Sequence, residues 1–512
     1  MDGDGEYEII LKWDPSNSFD SGTQAKHSGN VYIDAYKLSG ERLWRIDLGI
    51  NISAGPHFTQ LSAYDYDLDG RAELVLKTAP GSQDGTGKYV SEASDNPSIL
   101  ETDNQRDYRS KKTSKQDPYG GRVLEGEEYL TVFDGLSGKA VDTIYYPFPR
   151  GNVKEWGDSW GNRSERYLQA VAYLDGMIPH VIVWRGYYDK TAVAAYRLES
   201  GRLIKAASFD STKFVFHNYD GQGNHNITVA DVDADGKDEI ICGSLALDDD
   251  LSVLWCSGRG HGDALHLADY DPLHNGMEYF CVHETTPYGM TVYDAATGKE
   301  LFHSDGERDT GRGMMAHVGY SDGYYEIWAT YRHNAFGPEE YAGRYVSNGK
   351  TDVREEEFTP ESQNFRIFWD GDLFDELLDG DGAEGSPVRI TGKDGLVAEF
   401  PGTKTINGTK QNVCLTADLF GDWREEFVVP SSDGNTLRVF TTTIPTSERL
   451  FTLMHDRTYR MQIAVQNAGY NQPPHLSYYI STDCDAFDAR KTACFIKTVH
   501  NGREYMRERK LE

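Results

Sequence analysis

The chain has 512 residues, a formal net charge of −31 and 38% hydrophobic residues. Such acidity argues against a nucleic-acid partner, because a phosphate backbone is gripped by Lys and Arg. No run of about 18 apolar residues exists, which excludes a membrane-spanning helix. With 52 Gly and 32 Tyr the composition suits turn-rich β structure, and although the length would allow two or three ordinary domains, the repeats below argue for one closed unit.

In chain order, one loop recurs: acidic residues spaced by one, a glycine, and a glutamate entering an apolar run. It first appears as Asp2, Asp4, Gly5 and Glu8, then as Asp65, Asp67, Asp69, Gly70 and Glu73, in degenerate form at Asp175 and Gly176, and again as Asp231, Asp233, Asp235, Gly236 and Glu239. Looser copies follow at Asp269, Asp271 and Glu278, at Asp322 and Glu326, at Asp370, Asp372 and Glu376, and at Asp418, Asp422 and Glu426. Alternating carboxylates aim oxygens at one point while glycine permits the bend, the logic of a calcium loop. Each is read as a Ca2+ site, and eight such ions would return roughly sixteen positive charges. Their expected role is structural.

From one closing glutamate to the next, the last steps are 39, 48, 50 and 50 residues. A period of this size signifies propeller blades. After the loops come alternating strands folded about a glycine: 31–48 around Gly40, 130–145 around Gly138, 192–208 around Gly201, 290–303 around Gly298 and 388–400 around Gly395. Eight loops therefore predict an all-β, eight-bladed β-propeller over residues 1–482, each blade having an inner strand, the acidic loop, a second strand and an outer hairpin.

Two segments break the repeat. Residues 82–128 are polar and too long for a turn, and an insertion of this kind shapes a binding cleft. The charged tail, 483–510, is expected to pack as a short helix on the rim. Met1 reads as an added start and residues 511–512 as a cloning scar, so a trimmed chain is expected. Cys484 and Cys494 offer a short disulfide if the protein is exported.

Between the fourth and sixth loops polar residues crowd together: His225 with Asn224 and Asn226, His261 with Asp263 and His266, His283 with Glu284, and Arg312 between glycines. Their comparable blade positions would bring them around one axis. The acids suit a cation, and imidazole tolerates one, although calcium prefers oxygen. Later, Asn407, Gly408, Thr409 and Lys410, and then Gln466–His475 with Tyr470, offer amides, a hydroxyl and an aromatic ring for gripping sugars, while Asn407-Gly408 also reads as a plain hairpin turn.

The runs 221–226, 260–266, 311–314, 407–410, 418–426 and 453–456 resemble the rhamnogalacturonan lyases of polysaccharide lyase family 11, a likeness that extends from the first loop to about Tyr479. The resemblance implies an eight-bladed propeller, several calcium ions, and cleavage of the rhamnose–galacturonate bond of rhamnogalacturonan I. It also implies that Asn407, Gly408, Thr409 and Tyr470 contact rhamnose, and that a small β-sandwich domain of the family is missing here.

The residues suit that chemistry independently. β-Elimination removes a C5 proton beside a uronate carboxylate, whose charge must first be neutralised. His225, His261, Asp263 and Glu284 are assigned to a central cation cluster, Arg312 to the carboxylate clamp, and Lys410 to the base or a second clamp, with His261 as the alternative base. Two alternatives stand: a noncatalytic, calcium-dependent glycan-binding propeller, and a lyase for another uronate polymer. The partner expected is pectin rhamnogalacturonan I, acted on by a monomer outside the cytoplasm, because the polymer cannot enter a cell intact.

Overall fold

The computed structural model describes residues 1–16, 18, 29–111, 120–214, 218–332, 339–349, 352–360, 362–381, 385–480, 495–500 and 503–508. Eight antiparallel sheets follow one another in chain order, the pattern of an eight-bladed β-propeller. Six have four strands; the first, Glu8–Trp13, Tyr32–Lys37 and Arg42–Asp47, and the eighth, Leu415–Ala417, Glu426–Pro430 and Leu437–Phe440, have three.

The second strand of a blade is apolar without alternation because both its faces are covered. Glu73–Thr78 and His180–Arg185 are buried at every residue, so the run Val181-Ile182-Val183-Trp184 is a core strand, each large apolar side chain contributing about 1.5–3 kcal/mol. Outer strands alternate instead, as in Arg42–Asp47, where only Trp44 and Ile46 are buried. The outer hairpins turn at Gly40, Gly138, Gly201, Gly298 and Gly395, all left-handed. In blades 1, 2, 3, 5 and 7 the hairpin also carries a register shift, at Ala35/Tyr36, Val132/Phe133, Ala195/Tyr196, Val292/Tyr293 and Ile390/Thr391. A bulge there adds twist.

Packing groups the chain into two compact units. The first comprises 1–227, 247–258 and 467–469; the second comprises 228–246, 259–466 and 470–512. The first has a core of Val31, Ile33, Trp44, Ile46, Leu74, Leu76, Tyr129 and Phe133. The second has several clusters, one built on Phe280, Val282, Met290, Met315 and Ile327 and another on Phe365, Ile367, Leu378, Phe427 and Val429. Among the described residues no helix is long and apolar enough to cross a membrane.

The tail differs from expectation. Phe495–His500 and Arg503–Glu508 pair as an antiparallel hairpin rather than a helix. The sequence between them, Asn501-Gly502, is a strong two-residue hairpin signal, and the flanks alternate β-branched and aromatic residues with polar ones. Cys484, Cys494 and residues 511–512 lie outside the described residues.

Candidate active site and cation loops

The acidic loops fold by capping themselves. In six of the eight, one oxygen of the closing glutamate accepts a backbone N–H at the head of the loop: Tyr66 N to Glu73 Oε2 at 2.9 Å, Val232 N to Glu239 Oε2 at 2.8 Å, Tyr270 N to Glu278 Oε2 at 2.8 Å. Val318 N meets Glu326 at 2.9 Å, Trp369 N meets Glu376 at 2.7 Å and Leu419 N meets Glu426 at 2.8 Å. The residue after the second acid is left-handed although it is not glycine: Leu68, Ala234, Leu373 and Trp423 have φ of 61°, 64°, 72° and 69°. Such strain persists only where surrounding bonds over-determine the backbone.

The loops then diverge. Asp65, Asp67 and Glu73, and likewise Asp231, Asp233 and Glu239, hold ligand oxygens within 4.8 Å of one another. Asp231 Oδ1 and Glu239 Oε1 are buried without a hydrogen-bond partner. Burial and the neighbouring charges push Glu73 up to about 7 and Glu239 up to about 8. This donor set fits a hard divalent cation. The third acid stands apart in both loops, Asp69 pairing with Arg71 at 3.0 Å and Asp235 with Lys237 at 3.5 Å.

Asp2, Asp4 and Glu8 of the first loop hold ligand oxygens within the same 4.8 Å of one another, and protein groups contact the acids of this loop and of the fifth, seventh and eighth. Lys37 Nζ bridges Asp2 and Asp4 at 2.6 and 3.0 Å, so an ammonium sits among the first loop's carboxylates. In the fifth loop His274 Nδ1 lies 2.6 Å from Glu278 Oε1, while burial pushes Asp269 up to about 7. In the seventh, Asp370 Oδ1 accepts from Asp372 N at 3.1 Å, and burial with the Asp370 charge holds Glu376 well above the carboxylate range. In the eighth, Asp418 accepts from Gly421 N at 2.8 Å and Leu453 N at 2.9 Å, Glu426 Oε1 from Thr441 at 2.8 Å, and Asp422 pairs with Arg424.

The candidate active site is built in the second unit from four distant stretches. His261 and Asp263 precede the strand Leu265–Ala268, and Glu284 follows Glu278–Val282. Glu284 N donates to His261 O at 3.0 Å, which fixes one loop on the other. His261 Nε2 is 3.8 Å from Asp263 Oδ1 and 3.6 Å from Glu284 Oε1. Burial and the charges of Asp263 and Asp309 push Glu284 up to about 9. Carboxylates crowded this closely around an imidazole fit a divalent cation, with calcium favoured by the two carboxylates and the nitrogen less usual.

Lys410 completes the cluster. It ends a short 3₁₀ turn, Gly408–Lys410, entered through Asn407 at φ 60° and left through Gln411 at φ 55°. The hairpin reading of Asn407-Gly408 holds in a longer form: Ile406 and Asn412 pair as an antiparallel bridge, with N–H···O distances of 2.9 and 3.1 Å, around this helical turn. Lys410 Nζ donates to Asp263 Oδ2 at 2.8 Å and to the carbonyl of Gly311, and lies 4.2 Å from the Tyr470 ring centre. Burial lowers its proton affinity and the Arg312 charge adds to the effect, while Asp263 opposes it. A Cβ on Gly311 would come within 3.3 Å of Asp263 Oδ2 and 3.8 Å of Lys410 Nζ. Arg312 lies in the strand Thr310–Ala316 and is buried.

Sequence reasoning missed several residues here. Asp309, pushed up to about 6 by burial and by Asp263, carries no motif. Asn364 and Asn412 hold the turn, Asn364 donating to Lys410 O at 2.6 Å and Asn412 to Asn471 O at 2.7 Å, beside the expected Asn407, which donates to Asn471 Oδ1 at 3.1 Å. Their partners are 46 to 64 residues away, so only proximity within the expected sugar-binding segments could have hinted at them. The side chain of Thr409 lies outside the described residues.

His225 belongs to the first unit. Its Nε2 is 2.8 Å from the Tyr188 hydroxyl, its Nδ1 is 3.2 Å from that of Tyr187, and its ring centre is 4.7 Å from His57.

Comparison with known proteins adds to this geometry. The profile of "Rhamnogalacturonan lyase family 11, C-terminal domain" matches residues 1–490. The chain is 47% identical over 483 residues to rhamnogalacturonan endolyase YesW of Bacillus subtilis, covering 94% of this chain and 72% of that protein. It resembles the crystal structure of the exotype rhamnogalacturonan lyase YesX at a TM-score of 0.84 and 46% identity, covering 94% of this chain and 77% of that one. A Bacillus licheniformis rhamnogalacturonan lyase gives 0.83 at 44% identity, covering 95% and 78%.

Proposed function

The chain belongs to rhamnogalacturonan lyase family 11, and from that premise we propose that it opens the rhamnose–galacturonate bond of rhamnogalacturonan I by β-elimination. The observation that carries the reading is the convergence of His261, Asp263, Glu284 and the buried Lys410 on one cluster of the second unit. In the reaction the C5–H bond of galacturonate breaks, its electron pair forms the C4–C5 double bond, and the C4–O bond breaks as the leaving oxygen takes up a proton.

His261, Asp263 and Glu284 would hold a Ca2+ ion. When bound, that ion withdraws charge from the uronate carboxylate and so acidifies the C5 proton. Arg312 clamps the same carboxylate, its planar fork matching two oxygens. Lys410 accepts the C5 proton; burial and the Arg312 charge both lower its affinity toward the range a general base needs. His261 faces two carboxylates, which suits a ligand better than a base. Asn407, Gly408, Thr409 and Tyr470 contact the rhamnose. The enzyme acts outside the cytoplasm, since the polymer is too large to be taken up intact.

Lys410→Ala and Arg312→Ala are expected to abolish the ultraviolet absorbance of the unsaturated product on rhamnogalacturonan I; full activity in either would sink its assigned role. The wild type is compared on homogalacturonan and a neutral glycan as well. Cleavage of homogalacturonan instead would move the substrate, and calcium-dependent binding without product would favour the glycan-binding alternative.

A further inference from the structure

The second strand of a blade keeps a phase set by the glutamate that closes its acidic loop. Three residues on from that glutamate, six blades carry Leu76, Cys242, Cys281, Ala329, Asp379 and Val429, all buried. Asp379 is the one carboxylate among the six. An acid away from water is costly unless polar groups meet it, so its presence at a core position of the repeat calls for a local reason.

Its surroundings supply one. Asp379 ends the strand Glu376–Asp379. Its Oδ1 accepts from Gly380 N at 2.8 Å, and its Oδ2 from Ser362 Oγ at 2.9 Å, Asn364 Nδ2 at 3.3 Å and Gln363 N at 3.4 Å. Burial pushes the carboxyl up to about 7, while these four donors pull the other way. Asn364 Nδ2 also donates to Lys410 O at 2.6 Å. Carbonyl and carboxylate both accept, so only the amide NH2 of Asn364 can face them, and its two hydrogens join Asp379 to the backbone of Lys410. The segment is tied down in turn by Trp328 Nε1, which donates to Ser362 O at 3.0 Å.

The same strand end meets the residue after the lysine. A Cβ on Gly380 would run into Gln411 Oε1 and Ser386 Oγ, and Ser386 Oγ donates to Gln411 Oε1 at 3.1 Å. The exit of the 3₁₀ turn is therefore held twice, at Lys410 O through Asn364 and at Gln411 against Gly380.

We propose that Asp379 is a positioning residue which, acting through Asn364 and with Gly380 packed against Gln411, fixes the backbone from which Lys410 reaches Asp263 and the C5 proton. The inference rests on the elimination reading, in which Lys410 is the base. A base on a long side chain needs a fixed root, because a misplacement of about 1 Å can cost on the order of 100-fold in rate.

The test is kcat and KM on rhamnogalacturonan I for Asn364→Leu, Asp379→Asn and the double variant, with melting curves to give the folded fraction. Each single variant is expected to lower kcat per folded enzyme by about 10- to 100-fold, the range for leaving one buried hydrogen-bonding group unsatisfied, with KM little changed. The double variant should lose no more than the worse single, because the two residues act along one path. A lower melting temperature with kcat intact, a loss confined to KM, or losses that multiply in the double variant would overturn the proposal. If Asp379→Asn does not fold, Asp379→Ser takes its place and is read by the same rule. A wild type that makes no unsaturated product sinks the elimination reading instead. The rate at which cyanate carbamylates Lys410, followed by peptide mass spectrometry, then decides the positioning: a faster rate in Asn364→Leu and Asp379→Asn supports it, and an unchanged rate overturns it.

Discussion

Lys410 Nζ donates to Asp263 Oδ2 at 2.8 Å, joining residues 147 positions apart. The pair is buried, with 8% and 12% of the two side chains exposed, so each charge depends on the other. Removing one partner of a buried pair costs about 3–5 kcal/mol. Asp263→Asn should therefore lower the melting temperature and cut kcat at least about 100-fold, which corresponds to about 2.7 kcal/mol of barrier. Activity within threefold of wild type, measured by product absorbance, would show that Asp263 neither holds the lysine nor serves the cation.

Tyr470 presents its ring face to the same ammonium at 4.2 Å. A cation over an aromatic face is worth about 0.5–2 kcal/mol. Tyr470→Ala should then reduce kcat/KM by about 3- to 30-fold through this contact alone, with a further loss from the missing sugar platform. Tyr470→Phe keeps the face and should retain most of the activity. Equal losses in the two variants would assign the effect to the hydroxyl.

How much of this was legible in the sequence depends on how local each interaction is. The hairpins at Gly40, Gly138, Gly201, Gly298 and Gly395 were readable because a turn glycine and alternating strands are local signals. The carboxylate spacing at 65–73 and 231–239 was readable for the same reason. Spacing could not reveal that Lys37 enters the first loop, that His274 reaches Glu278, or that the backbone N–H of residue 453 reaches Asp418, since these partners lie outside the repeat or, like His274, replace an expected acid within it. Asp309 and the asparagines at 364, 412 and 471 act across folds of the chain and leave no periodic trace. The helical expectation for the tail failed because charge content was weighed above the Asn-Gly pair between two alternating segments.

Chelation and pH should act together on the two cage-like loops. Glu73 at about 7 and Glu239 at about 8 stand above the ordinary glutamate value of 4.5. Without a cation, the folded chain holds these protons more tightly than the unfolded chain does. Stability from this source is complete below about 4.5 and is lost as pH rises through 7 to 8. A divalent ion reverses the trend by binding the ionised forms and releasing protons. In chelator the melting temperature should fall between pH 5 and pH 8, and the increment from added Ca2+ should be larger at pH 8. A calcium increment independent of pH would contradict this assignment.

The fourth and eighth loops separate in a single comparison. Asp231 keeps a buried oxygen without a hydrogen-bond partner, whereas Asp418 has both oxygens taken by the N–H groups of Gly421 and Leu453. In Asp418→Asn the amide can accept through one oxygen only, which leaves a buried N–H unsatisfied at a cost of about 1–3 kcal/mol, with or without calcium. Asp231→Asn instead removes a cation ligand and relieves carboxylate repulsion, so in chelator it should match or exceed wild type and lose most of the increment that Ca2+ provides. Melting curves of the two variants with Ca2+ and with chelator check both statements. A calcium-dependent deficit in Asp418→Asn would mean that the eighth loop also holds an ion, with its backbone contacts rearranged around it.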